Sequence, residues 1–274
     1  MTDRYGIQGR IDREEFARGQ LPEGADPVVP RPAATTVLAR PGVDGPFELL
    51  LLKRPTTTRF AAGAYVFPGG VVDEADGAPF WIDRLPNLPN LAGGDRAAAT
   101  AAIRELFEET GILLSDDAPM TGGSGSRDRG DPLEVARMVL LAEERSFEDV
   151  ARELGATFTR APMTYFARWV TPRRLSRRYD ALFFLVALPD RDVDVTITEE
   201  HDAVLWVRVD EAIDRFRRGE LPMLFPTWKT IEGLASFTDL DEAIDGLVLD
   251  AVEPIEPRLD VQGNTVRLRM PEEA

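Results

Sequence analysis

The sequence predicts an α+β fold in which a mixed β-sheet is sandwiched between helices. Segments with the apolar pattern of strands are interspersed with amphipathic helical segments, without the strict alternation typical of a doubly wound parallel sheet. The 274 residues are also enough to bury a large core. We expect an N-terminal arm over residues 1–32 and a single domain over 33–274. Insertions are expected at about 73–95 and 115–160, with a helical insertion in the second and further helices near the C-terminus.

The predicted strands are short apolar or β-branched runs bounded by turn residues. They cover residues 35–39, 47–52, 65–67, 112–114, 164–170, 181–188 and 203–209. The insertion at 73–95 is rich in Asp, Gly, Pro and Asn and is predicted to be a loop, with Phe80 and Trp81 packed against the body. The segment 258–268 is typical of a hairpin that turns at Gly263-Asn264.

The predicted helices follow apolar residues at a spacing of three or four. They cover residues 96–110, 132–143, 146–155, 210–218, 226–237 and 239–249. In the first of them Ala98, Ala102 and Leu106 form part of an apolar stripe, and Gly111 is a natural residue to follow a helix C-terminus. Ser146 with Asp149 three residues later predicts a capping box at the start of the third helix.

Composition excludes several classes of function. The chain has no cysteine and one histidine, His201, which excludes disulfides, thiol catalysis, and thiolate or multi-histidine metal sites. A formal net charge of −16 opposes binding to nucleic acid and to anionic membrane surfaces. No apolar run approaches the ~20 residues of a membrane-spanning helix. The N-terminal residues also lack the apolar stretch of a secretory signal, so we expect a cytoplasmic protein.

The most informative segment is an acidic turn of the helix at 96–110. Glu105, Glu108 and Glu109 stand at i, i+3 and i+4 and therefore share one face. They repel one another and lie near the helix C-terminus, where anions are unfavourable. Arg104 can pair with Glu108, which leaves two carboxylates uncompensated. Oxygen ligands with high negative charge indicate a Mg²⁺ or Mn²⁺ site; the alternative is a solvated acidic face.

Together with the Gly69-Gly70 pair upstream, the segment Arg104-Glu105-Leu106-x-Glu108-Glu109-x-Gly111-Ile112 resembles the box of the Nudix hydrolases, G-x5-E-x7-R-E-U-x-E-E-x-G-U, where U is aliphatic. Gly70 corresponds to the first glycine. Arg104 lies 34 positions later instead of 14, which indicates an insertion of 20 residues. Arg96 stands where the first box glutamate is expected. The acids that could replace that glutamate, if the insertion follows them, are Asp73, Glu74 and Asp76.

A second resemblance is to the coenzyme A (CoA) diphosphatases of that family. Their upstream motif is L-L-T-x-R-[SA]-x3-R-x3-G-x3-F-P-G-G, and residues 50–70 match it with identical spacing, including Arg54 and Arg59. Leu52 replaces the threonine and Pro55 the serine or alanine. The long insertion and the segments 169–172 and 178–184 are similar to the mammalian peroxisomal branch, the nineteenth Nudix type. The resemblance implies the Nudix fold.

The resemblance also implies roles for individual residues. Glu105, Glu108 and Glu109 would hold Mg²⁺ or Mn²⁺ ions, joined by a backbone carbonyl of Gly69 or Gly70. Arg104 would orient the glutamates, and Glu105 would belong to the catalytic set. Further residues with implied roles are Glu200 as base or extra ligand, and Arg54 and Arg59, with Gly69 and Gly70, as contacts to the phosphates of the substrate. His201 is interpreted as a loop residue and not as a catalyst.

Three functions remain open at this point. The first is hydrolysis of CoA or acyl-CoA to 3′-phosphoadenosine 5′-phosphate and (acyl-)4′-phosphopantetheine. The second is hydrolysis of another nucleoside diphosphate derivative, such as ADP-ribose, NADH or an oxidised nucleotide. The third is a non-catalytic binding module, which is disfavoured because all three box glutamates are present. We expect a small-molecule nucleotide substrate, no nucleic acid or membrane partner, and an oligomeric state that the sequence leaves open, a homodimer included.

Overall fold

The strands form one large mixed sheet and one small antiparallel sheet. The computed structural model describes residues 10–12, 17, 19–43, 46–58, 61–88, 90–116, 120–121, 131–262 and 265–272. Within them the strands are β1 (Arg10–Asp12), β2 (Arg31–Pro41), β3 (Phe47–Lys53), β4 (Tyr65–Val66), β5 (Gly69–Val71), β6 (Met163–Val170), β7 (Tyr179–Ala187), β8 (Ala203–Arg208), β9 (Pro254–Ile255), β10 (Arg258–Gln262) and β11 (Thr265–Arg269).

Strand β2 organises the large sheet because it pairs along both edges. One edge pairs in parallel with β7, from Arg31 opposite Tyr179 to Ala39 opposite Ala187. The other edge pairs antiparallel with β5 and, further along, with β3. Strand β3 also pairs with β4 and β8, while β6 joins β7 to β9. This mixture of parallel and antiparallel pairs confirms the predicted mixed sheet.

The helices cover both faces of this sheet. They are α1 (Arg96–Thr110), α2 (Pro132–Leu141), α3 (Phe147–Leu154), α4 (Val209–Arg217), α5 (Phe225–Leu234) and α6 (Leu240–Gly246). Alternate residues of β3 point to opposite faces of the sheet. Leu50 and Leu52 belong to the apolar core that includes residues of α1, α2 and α3, and Leu49 and Leu51 belong to the core that includes residues of α4, α5 and α6. Because successive side chains of a strand point to opposite faces, β3 contributes to one apolar core on each face of the sheet. The sheet therefore lies between two layers of helices, as predicted.

Several local predictions are confirmed. Helix α1 has the predicted bounds, and Gly111 follows it with a left-handed φ of 73°. Ser146 and Asp149 form the predicted capping box at the start of α3. Phe80 and Trp81 are buried, although the insertion at 73–95 contains short 3₁₀ turns and is not a plain loop.

Other local predictions are wrong. Residues 112–114 form no strand; Leu113 makes an isolated bridge to Met120, and the segment fills the core instead. Gly69–Val71, which lies outside the predicted strands, forms a strand because it pairs with an edge of β2. Helices α2, α5 and α6 end two to three residues before their predicted ends.

The small sheet joins segments from the N-terminal and C-terminal parts of the chain, since β11 pairs with both β1 and β10. The predicted turn at Gly263-Asn264 lies outside the described residues. The division into an arm at 1–32 and a domain at 33–274 stays a prediction, although residues 31 and 32 already belong to β2. Across the described part of the chain, every helix is too short or too polar to cross a bilayer.

Candidate active site

The candidate site lies where β5 crosses α1. Strand β5 pairs with β2 through Gly69 and Gly70, and α1 packs over both strands. The hydroxyl of Thr36 in β2 donates a hydrogen bond to the carbonyl of Ala102 at 2.9 Å, which ties the middle of the helix to the sheet. The backbone N–H of Gly69 donates to Oε2 of Glu109 at 3.0 Å. The two halves of the sequence motif are therefore in direct contact.

Both glycines occupy positions where a side chain would overlap a neighbour. Gly69 has a φ of 157°, which side-chain-bearing residues rarely adopt, and a Cβ there would overlap the carbonyl oxygen of Ala34. At Gly70 a Cβ would overlap the carboxylate of Glu105. The lack of a side chain at Gly69 thus allows β5 to lie close to β2, whereas the lack of one at Gly70 leaves the space that the Glu105 carboxylate occupies.

Arg104 is the centre of a buried ion-pair network. The residue is 7% exposed, and its Nη1 donates to Glu105 at 2.8 Å and to Glu108 at 3.3 and 3.4 Å. Its Nη2 also donates to the carbonyl of Val71 at 2.9 Å. Burial by itself lowers the pKa of Arg104, but the hydrogen bonds that it donates to Asp76 and the carboxylate charges raise it overall. The guanidinium is therefore a fixed positive charge beneath the glutamates.

Asp76 supplies the carboxylate that the box lacks before Arg104. It is 2% exposed and accepts two hydrogen bonds from Arg104, at 3.0 Å from Nε and 2.9 Å from Nη2. Asp73 reaches Nη2 only at 3.7 Å with a side chain that is 67% exposed, and Glu74 is exposed. Asp76 also follows Gly70 by six positions, the spacing of the pattern, so the insertion follows Asp76.

Burial disfavours the ionised form of all three glutamates. Burial raises the pKa of Glu105 to about 7 although Arg104 opposes the shift. The pKa of Glu108 is raised by burial as well, again against Arg104. Burial, with the charge of Glu105, raises the pKa of Glu109 well above its ordinary value, against the N–H of Gly69. Added positive charge would stabilise the ionised carboxylates.

The donor set fits a hard divalent cation, since its side chains offer only carboxylate oxygens. As they stand, no three Asp, Glu or His side chains in the described residues converge on one point that could hold a metal ion. The contacts explain this: Arg104 joins Glu105 to Glu108, while Glu109 turns towards Gly69. A cation bound here would compete with Arg104 for Glu105 and Glu108.

Arg137 of α2 caps the C-terminal turn of α1. Its side chain is 3% exposed and donates to the carbonyl of Glu108 at 3.0 Å from Nε and 2.8 Å from Nη2. Nη2 also donates to the carbonyl of Thr196 at 2.6 Å. A cation at this end satisfies otherwise unpaired helix carbonyls and offsets the local negative charge. Arg137 thereby joins the inserted helix to the acidic turn and to the segment that leads to Glu200.

The side chain of His201 lies next to Glu109. Its side chain is 1% exposed, and its Nε2 is 3.7 Å from Oε1 of Glu109. Neither ring nitrogen has a hydrogen-bond partner among the described residues. Burial, and then the charge of Arg54, lowers the pKa of His201 to about 4, so the ring is neutral at pH 7.

The remaining predicted residues lie around Glu109 where the structure describes them. Glu200 is exposed, and its charge contributes to the raised pKa of Glu109. Arg54 is partly buried, and its charge acts in the opposite direction on the same carboxyl. Arg59 lies outside the described residues. Arg54 and Glu200 therefore both lie within electrostatic range of Glu109.

Comparison with known proteins identifies the family of this chain. The model of the NUDT19 Nudix domain matches residues 86–232, more than half of the chain. The chain belongs to the Nudix hydrolase family. It is accordingly an enzyme that hydrolyses diphosphates, and Nudix hydrolases generally use divalent metal ions.

Relatives within the Nudix family include two vertebrate proteins. The acyl-coenzyme A diphosphatase NUDT19 of Gallus gallus is 30% identical over 77% of this chain and 70% of its own length. The Homo sapiens protein of the same name is 28% identical over 84% of this chain and 72% of its own length. A solved Nudix hydrolase from Alicyclobacillus acidocaldarius superposes with a TM-score of 0.67 and 27% identity. It covers 83% of this chain and 99% of its own, which confirms the Nudix fold.

The Nudix pattern alone did not assign three residues that lie in the site. Asp76 was one of three candidates, and its spacing from Gly70 was the signal that favoured it. His201 was interpreted as a loop residue; its place beside Glu200 was a signal, but its burial is a tertiary property. Arg137 lies in an insertion, and no signal in the sequence connects it to Glu108.

Proposed function

We propose that the enzyme hydrolyses the diphosphate linkage of CoA or acyl-CoA. Water adds to one phosphorus, the bridging P–O bond breaks, and the products are 3′-phosphoadenosine 5′-phosphate and (acyl-)4′-phosphopantetheine. The two vertebrate relatives carry the name acyl-coenzyme A diphosphatase, which supports this substrate class.

The observation that carries the proposal is the place of Arg54. It stands at the arginine position of the motif at 50–70, and its charge acts on both Glu109 and His201. A guanidinium fork suits a phosphate. A phosphate bound by Arg54 would therefore lie beside the carboxylates that line the reaction centre. In this proposal Arg59 is a second phosphate contact.

The proposed metal ligands are Glu105, Glu108 and Glu109, with a backbone carbonyl of Gly69 or Gly70, and the ions are Mg²⁺ or Mn²⁺. When bound, such ions neutralise charge on the bridging and leaving oxygens and lower the pKa of water. A cation also resolves the burial of three carboxylates, each of which has a raised pKa without one.

The chain's own residues have separate tasks in this proposal. Arg104, fixed by Asp76, orients Glu105 and Glu108. The N–H of Gly69 holds one oxygen of Glu109. Glu200 is the proposed base or additional ligand. It is exposed, and its charge acts on Glu109.

A substrate panel tests this function. The purified enzyme is incubated with CoA, an acyl-CoA, dephospho-CoA, ADP-ribose, NADH and an oxidised nucleotide, each with Mg²⁺ or Mn²⁺, and products are identified by mass. We expect the highest kcat/KM for CoA or acyl-CoA and the two products named above. A higher kcat/KM for ADP-ribose, NADH or the oxidised nucleotide would overturn the assignment. The Glu109→Gln variant serves as the control for contaminating hydrolases.

A further inference from the structure

His201 is a buried polar ring that the proposed mechanism does not use. It is the one histidine of the chain, its side chain is 1% exposed, and both ring nitrogens lack a partner among the described residues. Buried polar groups are nearly always hydrogen-bonded, so an unpaired one calls for a physical reason. Oε1 of Glu109 lies 3.7 Å from Nε2.

Glu109 has an unequal environment on its two oxygens. Oε2 accepts from the backbone N–H of Gly69 at 3.0 Å. Oε1 faces the imidazole at 3.7 Å from Nε2, which is beyond hydrogen-bond distance. An ionised carboxylate can only accept. A neutral ring at this place therefore interacts favourably with Glu109 when its proton is on Nε2.

We propose that His201 is a positioning residue that holds Glu109 by directing Nε2–H at Oε1. With Gly69 on the other oxygen, the carboxylate then has a donor on each side, and its remaining lone pairs stay available for a metal ion. This inference rests on the proposed metal-dependent function, which assigns Glu109 as a ligand.

The alternative role for the ring, direct ligation of a metal through Nε2, fits the surroundings less well. A ligating histidine usually donates its other N–H to a carboxylate or carbonyl. Nδ1 of His201 has no such acceptor among the described residues.

The tautomer can be read by NMR without any turnover. Because the chain contains one histidine, the ring signals of ¹⁵N-labelled protein need no assignment. In the Mg²⁺ complex, where Glu109 is ionised, we expect the ring proton on Nε2. A proton on Nδ1 in that complex would overturn the positioning role.

Side-chain variants give the second test. In His201→Gln the amide nitrogen can occupy the place of Nε2, whereas His201→Asn can replace only Nδ1, and His201→Leu fills the volume without a donor. We expect His201→Gln to keep the Mn²⁺ dissociation constant within about threefold of wild type. His201→Asn and His201→Leu should weaken Mn²⁺ binding about ten- to a hundredfold, the usual effect of losing such a supporting contact.

Mn²⁺ binding is measured by electron paramagnetic resonance without substrate, on protein whose folding is checked by circular dichroism. Thr230→Val is the matched control, since its hydroxyl is also buried and has no partner in the described part of the chain, but lies in α5, on the other side of the sheet. Wild-type Mn²⁺ affinity in His201→Leu would overturn the proposal. If wild-type protein binds Mn²⁺ as expected but cleaves no CoA, only the substrate assignment fails. If it binds no Mn²⁺, the metal assignment fails, and the positioning role with it.

Discussion

Asp76 and Arg104 form a two-pronged ion pair in the interior of the protein, with Nε to Oδ1 at 3.0 Å and Nη2 to Oδ2 at 2.9 Å. Asp76 is 28 positions away in sequence and lies before the inserted segment. The other edge of the same guanidinium contacts Glu105 and Glu108. The position of two candidate metal ligands therefore depends on an acid at the far end of an insertion.

Removing the charge of Asp76 should weaken both stability and catalysis. In Asp76→Asn one acceptor remains, so the loss should be near the lower end of the range for breaking a buried ion pair, about 3 kcal/mol. For a chain of this size that lowers Tm by roughly 6–12 °C. We expect kcat to fall about ten- to a hundredfold because Arg104 no longer fixes the glutamates. Calorimetry and steady-state kinetics measure the two effects.

Glu74→Gln is the control for Asp76→Asn, since Glu74 is exposed and lies two residues away. It should leave both Tm and kcat near their wild-type values. If Asp76→Asn behaves like Glu74→Gln, Arg104 is oriented without Asp76.

Replacing a box glutamate with glutamine should lower activity without lowering the stability of the metal-free protein. Glu108→Gln and Glu109→Gln each remove a proposed ligand and relieve carboxylate repulsion, so Tm without metal should hold or rise slightly. At a Mg²⁺ concentration of 100 times the dissociation constant, wild type should gain about 2.7 kcal/mol from binding. The variants should lose this gain and at least about a hundredfold in kcat, since metal ligation contributes several kcal/mol to the transition state. Near-normal turnover of either variant at saturating Mg²⁺ would contradict the assignment.

Gly70→Ala should damage the site through a steric contact. A Cβ at this position overlaps the Glu105 carboxylate, and forced overpacking costs about 1–3 kcal/mol. We expect metal affinity and kcat to fall together as Glu105 is displaced. Gly233→Ala is the matched control: in the exposed face of α5 its Cβ would meet nothing within 4 Å, and the change should stabilise the protein by about 0.5–1 kcal/mol. Equal metal affinity in both variants would show that Gly70 has no role in the site.

Some elements could be predicted from the sequence alone, and others could not. Helix α1 could be bounded correctly because its apolar stripe, its acidic turn and Gly111 are all local features. Strand β5 could not be predicted, because two glycines favour a turn and only the open edge of β2 makes them a strand. The same limit applies to the site, since burial of His201 and the reach of Arg137 to Glu108 depend on segments that are distant in sequence.

The last prediction concerns which phosphate Arg54 recognises. CoA carries a 3′-phosphate on its ribose, dephospho-CoA lacks it, and ADP-ribose lacks both it and the pantetheine arm. If Arg54 binds the 3′-phosphate, Arg54→Ala should lower kcat/KM for CoA but hardly affect the other two substrates. A charge-assisted contact of this kind contributes about 1.5–3 kcal/mol, which corresponds to roughly ten- to a hundredfold.

Measuring kcat/KM of wild type and Arg54→Ala on the three substrates tests this selectivity. Arg160→Ala is the control, because Arg160 is an exposed arginine whose backbone N–H bonds to Asp116, away from the glutamates; its variant should match wild type on all three. Equal losses on every substrate in Arg54→Ala would instead assign Arg54 to the diphosphate that all three share. The pattern of losses, not their size, therefore decides between the 3′-phosphate and the diphosphate, because Arg54 is close enough to Glu109 to serve either.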